Sequence, residues 1–202
     1  MRPVYVCACL LAGLLTAFAA DLPPSQPDLT VVLDFKGSFT SPTIREMQRE
    51  ASHIIGASGI QLGWIRRDDA VHSTFNDLVV ITFKGSCNYL PALLSNRQPG
   101  PYASTWIAAG AVQPFGDVDC DRVVNFVRMA MGGADFRQPD ILVGRALGRV
   151  VAHELVHMLT KLDQHAREGV EKAALSGRLL IAASLSLSAF DVDRLRLERK
   201  QP

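Results

Sequence analysis

The chain has almost no net charge. Its 202 residues carry 21 basic and 20 acidic side chains, a formal balance of +1. A chain so balanced offers no electrostatic footprint for nucleic acid or an anionic membrane surface, so partners of those classes are not expected. Cysteine is scarce too, with four residues, and Cys7 and Cys9 fall in the first twenty positions. No period of roughly 20–50 residues repeats, which excludes solenoids and propellers. No segment is of low complexity. The late apolar stretch Leu179–Phe190 is too short to span a bilayer and shows no clear period.

What is present is ordinary globular usage, 48% apolar and 20% charged, at a length that suits one domain or one domain plus a small subdomain. The N-terminus stands apart. Arg2 precedes an apolar run from Val4 to Ala20 that ends in Ala17, Ala19 and Ala20. A basic start, an apolar stretch and an A-x-A end are the layout of a secretory signal peptide. Cleavage after Ala19 satisfies the small-residue positions, whereas cleavage after Ala20 would put Phe18 at one of them. An uncleaved anchor is the alternative, because the run is just long enough to cross a bilayer. The Pro-rich segment Leu22–Pro27 favours a cut site and linker. The expected organisation is a signal peptide at 1–19, a linker at 20–28, a catalytic domain at 29–165 and a short C-terminal subdomain at 166–202, with the protein secreted or periplasmic. Residues 1–19 carry one base, Arg2, and no acid, so bases and acids balance in the remainder. Cys87 and Cys120 survive cleavage. In an oxidising compartment they are expected to pair, closing a loop whose entropy is worth roughly 3–4 kcal/mol.

Thr30–Phe35 reads as a strand, and Ser41-Pro42 opens a helix carrying Ile44, Met47, Ala51, Ile54 and Ile55 at helical spacing. Ile60–Ile65 and Leu78–Phe83 read as further strands. Thr105–Ala108 and Ala111–Phe115 read as a hairpin around Gly110. Asp119 or Asp121 caps a helix carrying Val123, Val124, Val127 and Met131. Alternate acids at Asp117, Asp119 and Asp121 also raise calcium, but capping is the commoner use of such a junction. Pro139-Asp140 then opens a helix running to about Leu162. One of its stripes is Leu147, Val151, Leu155, Met158 and Leu162; the other is Val143, Ala146, Val150, His153 and His157. A helix apolar on two sides is buried between layers. The expected fold class is mixed α/β, or α+β: a small mixed sheet covered by helices, with this long helix buried.

His153-Glu154-Leu155-Val156-His157 is an H-E-x-x-H segment. Residues four apart on a helix differ by about 40° in direction and about 6 Å in height, so both imidazoles can reach one ion. Glu154 is placed beside the ion, not on it, where it can act as general base. The apolar flanks Val150-Val151-Ala152 and Leu155-Val156 make an accidental match costly, since two histidines and a glutamate would be buried without a shared purpose. His53, between apolar helix positions, and His72, in a polar loop, carry no such pattern.

The segment from Gly144 to Met158 resembles the active-site helix of the zincin metallopeptidases. The element order before it is similar to the N-terminal subdomain of the metzincins and of the archaemetzincin and snapalysin groups. That resemblance implies one catalytic zinc, a peptidase activity, and a continuation H-E-x-x-H-x-x-G-x-x-H/D in which the glycine turns the chain to a third ligand. Here Thr160 stands at the glycine position, Asp163 at the third-ligand position, and His165 two residues further on. A straight helix would carry both away from the ion, so the chain must turn near Thr160–Leu162. A wider turn suits the later residue, and imidazole is the commoner zinc ligand; His165 is favoured over Asp163. Glu168 and Glu171 are the gluzincin-like option. No Met, Tyr or His follows His165, so the methionine turn of metzincins is missing and no C-terminal tyrosine can assist an oxyanion. Arg167 or a backbone N–H is left to help the zinc polarise the carbonyl.

The expected function is hydrolysis of a peptide or protein substrate, with Glu154 taking a proton from zinc-bound water. An extended substrate would add to the sheet edge near Thr105–Ala108. The alternatives are a zincin-fold protein that keeps its zinc for structure and a metal-dependent hydrolase of a non-peptide amide. N-terminal sequencing of the exported protein is expected to begin at Ala20 or Asp21; an intact Met1 in a membrane fraction would refute the signal peptide.

Overall fold

A computed structural model describes residues 26–89 and 100–199 of the chain. The expected signal peptide and most of the 20–28 linker lie outside the described residues. The element order is β1 (Leu29–Phe35), α1 (Ser41–Gly56), β2 (Leu62–Arg66), β3 (Leu78–Lys84), β4 (Ala103–Ala108), β5 (Ala111–Asp119), α2 (Cys120–Ala130), α3 (Pro139–Thr160), α4 (Gly177–Ile181) and α5 (Ala189–Glu198). The five strands form one mixed sheet in the order β2-β1-β3-β5-β4. Four strands run parallel, and β4 pairs antiparallel with β5 at one edge. The expected α/β class with a small mixed sheet and covering helices is therefore observed. Among the described residues, no helix is long and apolar enough to cross a membrane.

Local chemistry accounts for most boundaries. LTVVLDF has six buried positions in succession, as a central strand needs when both faces are covered. Thr40, not Ser41, caps α1: its hydroxyl accepts from the Thr43 amide at 3.3 Å, and Pro42 follows inside the first turn. Asp119 caps α2 by accepting from the Arg122 amide at 3.0 Å. The β4–β5 turn has both Ala109 and Gly110 at positive φ, the geometry that suits a two-residue hairpin. β5 runs on to Asp119, past the expected end at Phe115, because Phe115–Asp119 pair in register with Val80–Lys84 of β3. The acidic cluster is divided among other duties. Asp117 holds Lys84 at 2.9 Å, Asp119 is the cap, and Asp121 accepts from the Ser86 amide at 2.9 Å.

α3 is the spine. Leu147, Val151 and Leu155 are fully buried on one side, and Val143, Ala146 and Val150 are buried on the other. α1 approaches α3 closely because Gly144 and Gly148 have no side chains. A Cβ at these positions would lie 2.5 Å from the Thr43 carbonyl oxygen and 2.7 Å from that of Met47. On the sheet side the methyl of Met158 occupies the space a Cβ on Gly116 would need. Leu162, expected on the first stripe, lies beyond the helix end and is 39% exposed. The C-terminal region, whose sequence showed no period, forms α4 and α5, and its Val170, Leu175, Leu180, Leu187 and Leu195 join the same core. The sulfurs of Cys87 and Cys120 are at bonding distance, 1.97 Å, and tie the segment after β3 to the start of α2.

A buried ion pair locks the C-terminal region to this spine. Arg149 of α3 is fully buried; its Nε donates to Glu50 of α1 at 2.7 Å. Its terminal nitrogens donate to the carbonyls of Leu179 at 2.6 Å and Ala182 at 2.9 Å. Arg145, one turn earlier, adds a bond to the Ile181 carbonyl at 3.3 Å. Removing one partner strands the other charge. Arg149→Met is therefore expected to cost about 3–5 kcal/mol in denaturant unfolding, and the pair Glu50→Leu/Arg149→Met to recover part of that loss. A loss below about 1 kcal/mol for Arg149→Met would contradict this role.

Candidate metal centre

The last two turns of α3 carry His153, Glu154 and His157, facing β4 on one side and the segment after the helix on the other. The two imidazoles are held in one orientation by main-chain carbonyls. His153 Nδ1 lies 2.9 Å from the Val170 oxygen, and His157 Nδ1 lies 2.7 Å from the Leu162 oxygen. A carbonyl only accepts, so each Nδ1 carries a proton and each neutral ring keeps its lone pair on Nε2. The two Nε2 atoms face each other at 3.1 Å. Burial pushes His153 down to about 4, with the neighbouring histidines adding to the effect, and burial also lowers His157. Both shifts favour the neutral ring, and the two Nε2 atoms point at one another. A cation would suit that arrangement. Two imidazole nitrogens on one tetrahedral zinc, each at about 2.0–2.1 Å, would stand about 3.3 Å apart, close to the observed spacing.

The third imidazole arrives by a turn. Thr160 is still helical, its hydroxyl donating to the Val156 carbonyl at 2.8 Å. Lys161 then adopts the left-handed conformation with φ 56°. The reversal thus falls one residue after the expected glycine position, because a β-branched threonine resists left-handed φ. The Ala166 amide bonds the Glu171 carbonyl at 2.9 Å, and Ala166 bridges to Lys172, closing a small loop behind His165. Gly169 at the loop's tip has φ 73°, and a Cβ there would lie 2.7 Å from the Ser186 carbonyl oxygen. The His165 ring centroid ends 5.1 Å from that of His153 and 4.9 Å from that of His157. One ligand nitrogen from each of the three rings falls within 4.8 Å of the others. Among the described residues, these three are the group whose ligand atoms converge in this way.

The other candidates are placed differently. Asp163 is exposed and lines the adjoining cavity, close enough to His157 for its charge to oppose that ring's lowered pKa. Its oxygens are not in the convergent group. Glu168 and Arg167 are exposed, and neither lines the cavity. Glu171 is 2% exposed, with Oε1 3.6 Å from His153 Nδ1 and Oε2 4.0 Å from His157 Nε2. Its Oε1 has no hydrogen-bond partner. Burial, then the nearby Asp191 and Glu154, raise its pKa to about 9. His53 is exposed on α1.

Glu154 is 5% exposed, and its Oε2 accepts a 2.6 Å bond from the Thr105 hydroxyl of β4. Burial raises its pKa to about 7, against the pull of that bond. The sequence marked Thr105 only as part of a strand and not as a partner of Glu154, which lies 49 residues away. A cavity of about 490 Å³ opens beside these groups, with the three imidazoles and Glu154 in its lining. No family model, no curated protein and no solved structure matches the chain.

The ligand set is open to a direct comparison. In the purified variants, His165→Ala is expected to lower zinc affinity about as much as His153→Ala, and Asp163→Ala much less. Full zinc content in His165→Ala with an empty Asp163→Ala would assign the third position to the aspartate.

Proposed function

We propose that the chain is an exported zinc-dependent peptidase of metzincin-like zincin type. His153, His157 and His165 hold the ion and Glu154 is the general base. The observation that carries this reading is the convergence of three imidazole nitrogens beside the buried carboxyl of Glu154. The long buried helix bearing the pair, and the five-stranded mixed sheet with its antiparallel edge, support the zincin assignment. Zinc, when bound, supplies a Lewis acid for the scissile carbonyl and acidifies the attacking water. The protein's own groups do the rest. Glu154 accepts the proton of that water and passes it to the leaving amine, a task for which a pKa near the working pH is well matched. Thr105 holds the carboxylate by one oxygen and leaves the other free. β4 is the last strand of the sheet among the described residues, so an extended peptide can add to its outer edge by main-chain hydrogen bonds.

One observation favours a second reading. The buried carboxyl of Glu171, its Oε2 4.0 Å from His157 Nε2, would after a side-chain shift suit a zinc enclosed by four protein ligands, as in a structural site. Coordination separates the two, because a catalytic ion keeps a position open to the cavity.

Glu154→Gln is expected to retain its zinc and to lose roughly 10²–10⁴ of kcat/KM toward unstructured peptides. Thr105→Val removes a bond that favours the ionised carboxyl, so the acid limb of the pH profile should move to higher pH. Undiminished cleavage by zinc-loaded Glu154→Gln would overturn the peptidase reading.

A further inference from the structure

The cavity beside the imidazoles is walled by Tyr102, Phe126, Val150 and Leu175, with Tyr102 and Phe126 in edge-to-face contact at 5.1 Å. Its lining contains one lysine, Lys172, and no arginine. Lys172 is half-buried, and among the described residues no carboxylate pairs with its ammonium and no acceptor bonds it. Arginines elsewhere are handled differently: Arg49, Arg67 and Arg149 each hold an acid at 2.6–2.7 Å. A lysine in the wall of an apolar cavity with no carboxylate to neutralise it is available to a charge brought in by a ligand. Such a group suits an anionic ligand.

Its position gives the ligand's geometry. Lys172 bridges through its main chain to Ala166, the residue after His165. It also follows Glu171, whose side chain lies against the imidazoles. Glu171 is buried, while Lys172 and the residues after it line the cavity. The acids in that lining are Glu154, already bonded to Thr105, and the exposed Asp163. With a divalent cation on the three imidazoles, the cavity carries an excess of positive charge over an apolar floor.

Resting on the peptidase reading, we propose that Lys172 recognises a carboxylate of the substrate. The favoured class is then a peptide with a carboxylate close to the scissile bond and an apolar side chain between Tyr102, Phe126, Val150 and Leu175. The carboxylate is either the free C-terminus or an acidic side chain; both present the same two oxygens to the ammonium.

Binding tests this without requiring turnover. Zinc-loaded Glu154→Gln protein is titrated with four fluorescent peptides sharing one apolar residue: free acid or C-terminal amide, each with Glu or Gln at the neighbouring position. The carboxylate-bearing partner of one pair should bind about ten- to a hundredfold more tightly, and the pair that shows it identifies the source. Adding Lys172→Gln should erase the difference, and adding Lys172→Arg should keep most of it. Equal affinities in both pairs, no binding of any peptide, or a preference that survives Lys172→Gln would overturn the inference. Intact preference together with inert wild-type protein would sink the peptidase reading and leave this one standing.

Discussion

Two imidazole lone pairs face each other at 3.1 Å inside a buried helix, and the rest of the structure serves to keep them there. The ring orientations depend on the carbonyls of Val170 and Leu162, and neither residue belongs to α3. Val170 in turn is held by the Ser186 carbonyl at 3.0 Å. The segment containing Ser186 follows the stretch that Arg145 and Arg149 clamp to α3. Arg149 can be buried only because Glu50 of α1 answers its charge, and α1 can come that close only where α3 has Gly144 and Gly148. The site is thus the end point of a chain of contacts running from the first helix through the spine to the C-terminal segment. Buried polar groups tolerate such a role only when each has its partner.

The carboxyls follow the same logic. Burial raises Glu154 and Glu171, and the charges of Asp191 and Glu154 add to the effect on Glu171. A divalent ion on the imidazoles would favour their ionised forms, so metal binding and the charge state of these acids are linked. Glu154 differs from Glu171 in having Thr105 as a donor and the cavity beside it. That difference of surroundings separates a carboxyl able to exchange protons with a substrate from one enclosed in the protein.

Local pattern made much of this legible. The H-E-x-x-H spacing and its apolar flanks placed two imidazoles and a carboxyl on one buried helix. Once the zincin resemblance implied a third ligand beyond His157, helix geometry required a turn near Thr160–Leu162, and the structure brings His165 to the pair by a reversal at Lys161. Two cysteines left after signal cleavage suggested the contact between Cys87 and Cys120. Long-range partners made the rest invisible. The end of β5 is set by its register with β3, Thr105 matters only because Glu154 lies across from it, and Arg149 reads as an ordinary helix residue until Glu50 and α4 surround it. Glu171 entered only as the gluzincin-like option, and the loop closed by Ala166 folds it against the rings. The C-terminal helices carry weak periodicity because α3 and α2, not their own amphipathicity, organise them.

X-ray absorption at the zinc edge of the purified, unmodified protein addresses the central claim most directly. The account predicts one zinc per chain, with light-atom ligands at about 2.0–2.1 Å and outer-shell scattering from three imidazoles. Protein purified with zinc supplied that binds none, or a bound ion whose spectrum lacks imidazole scattering, would contradict it.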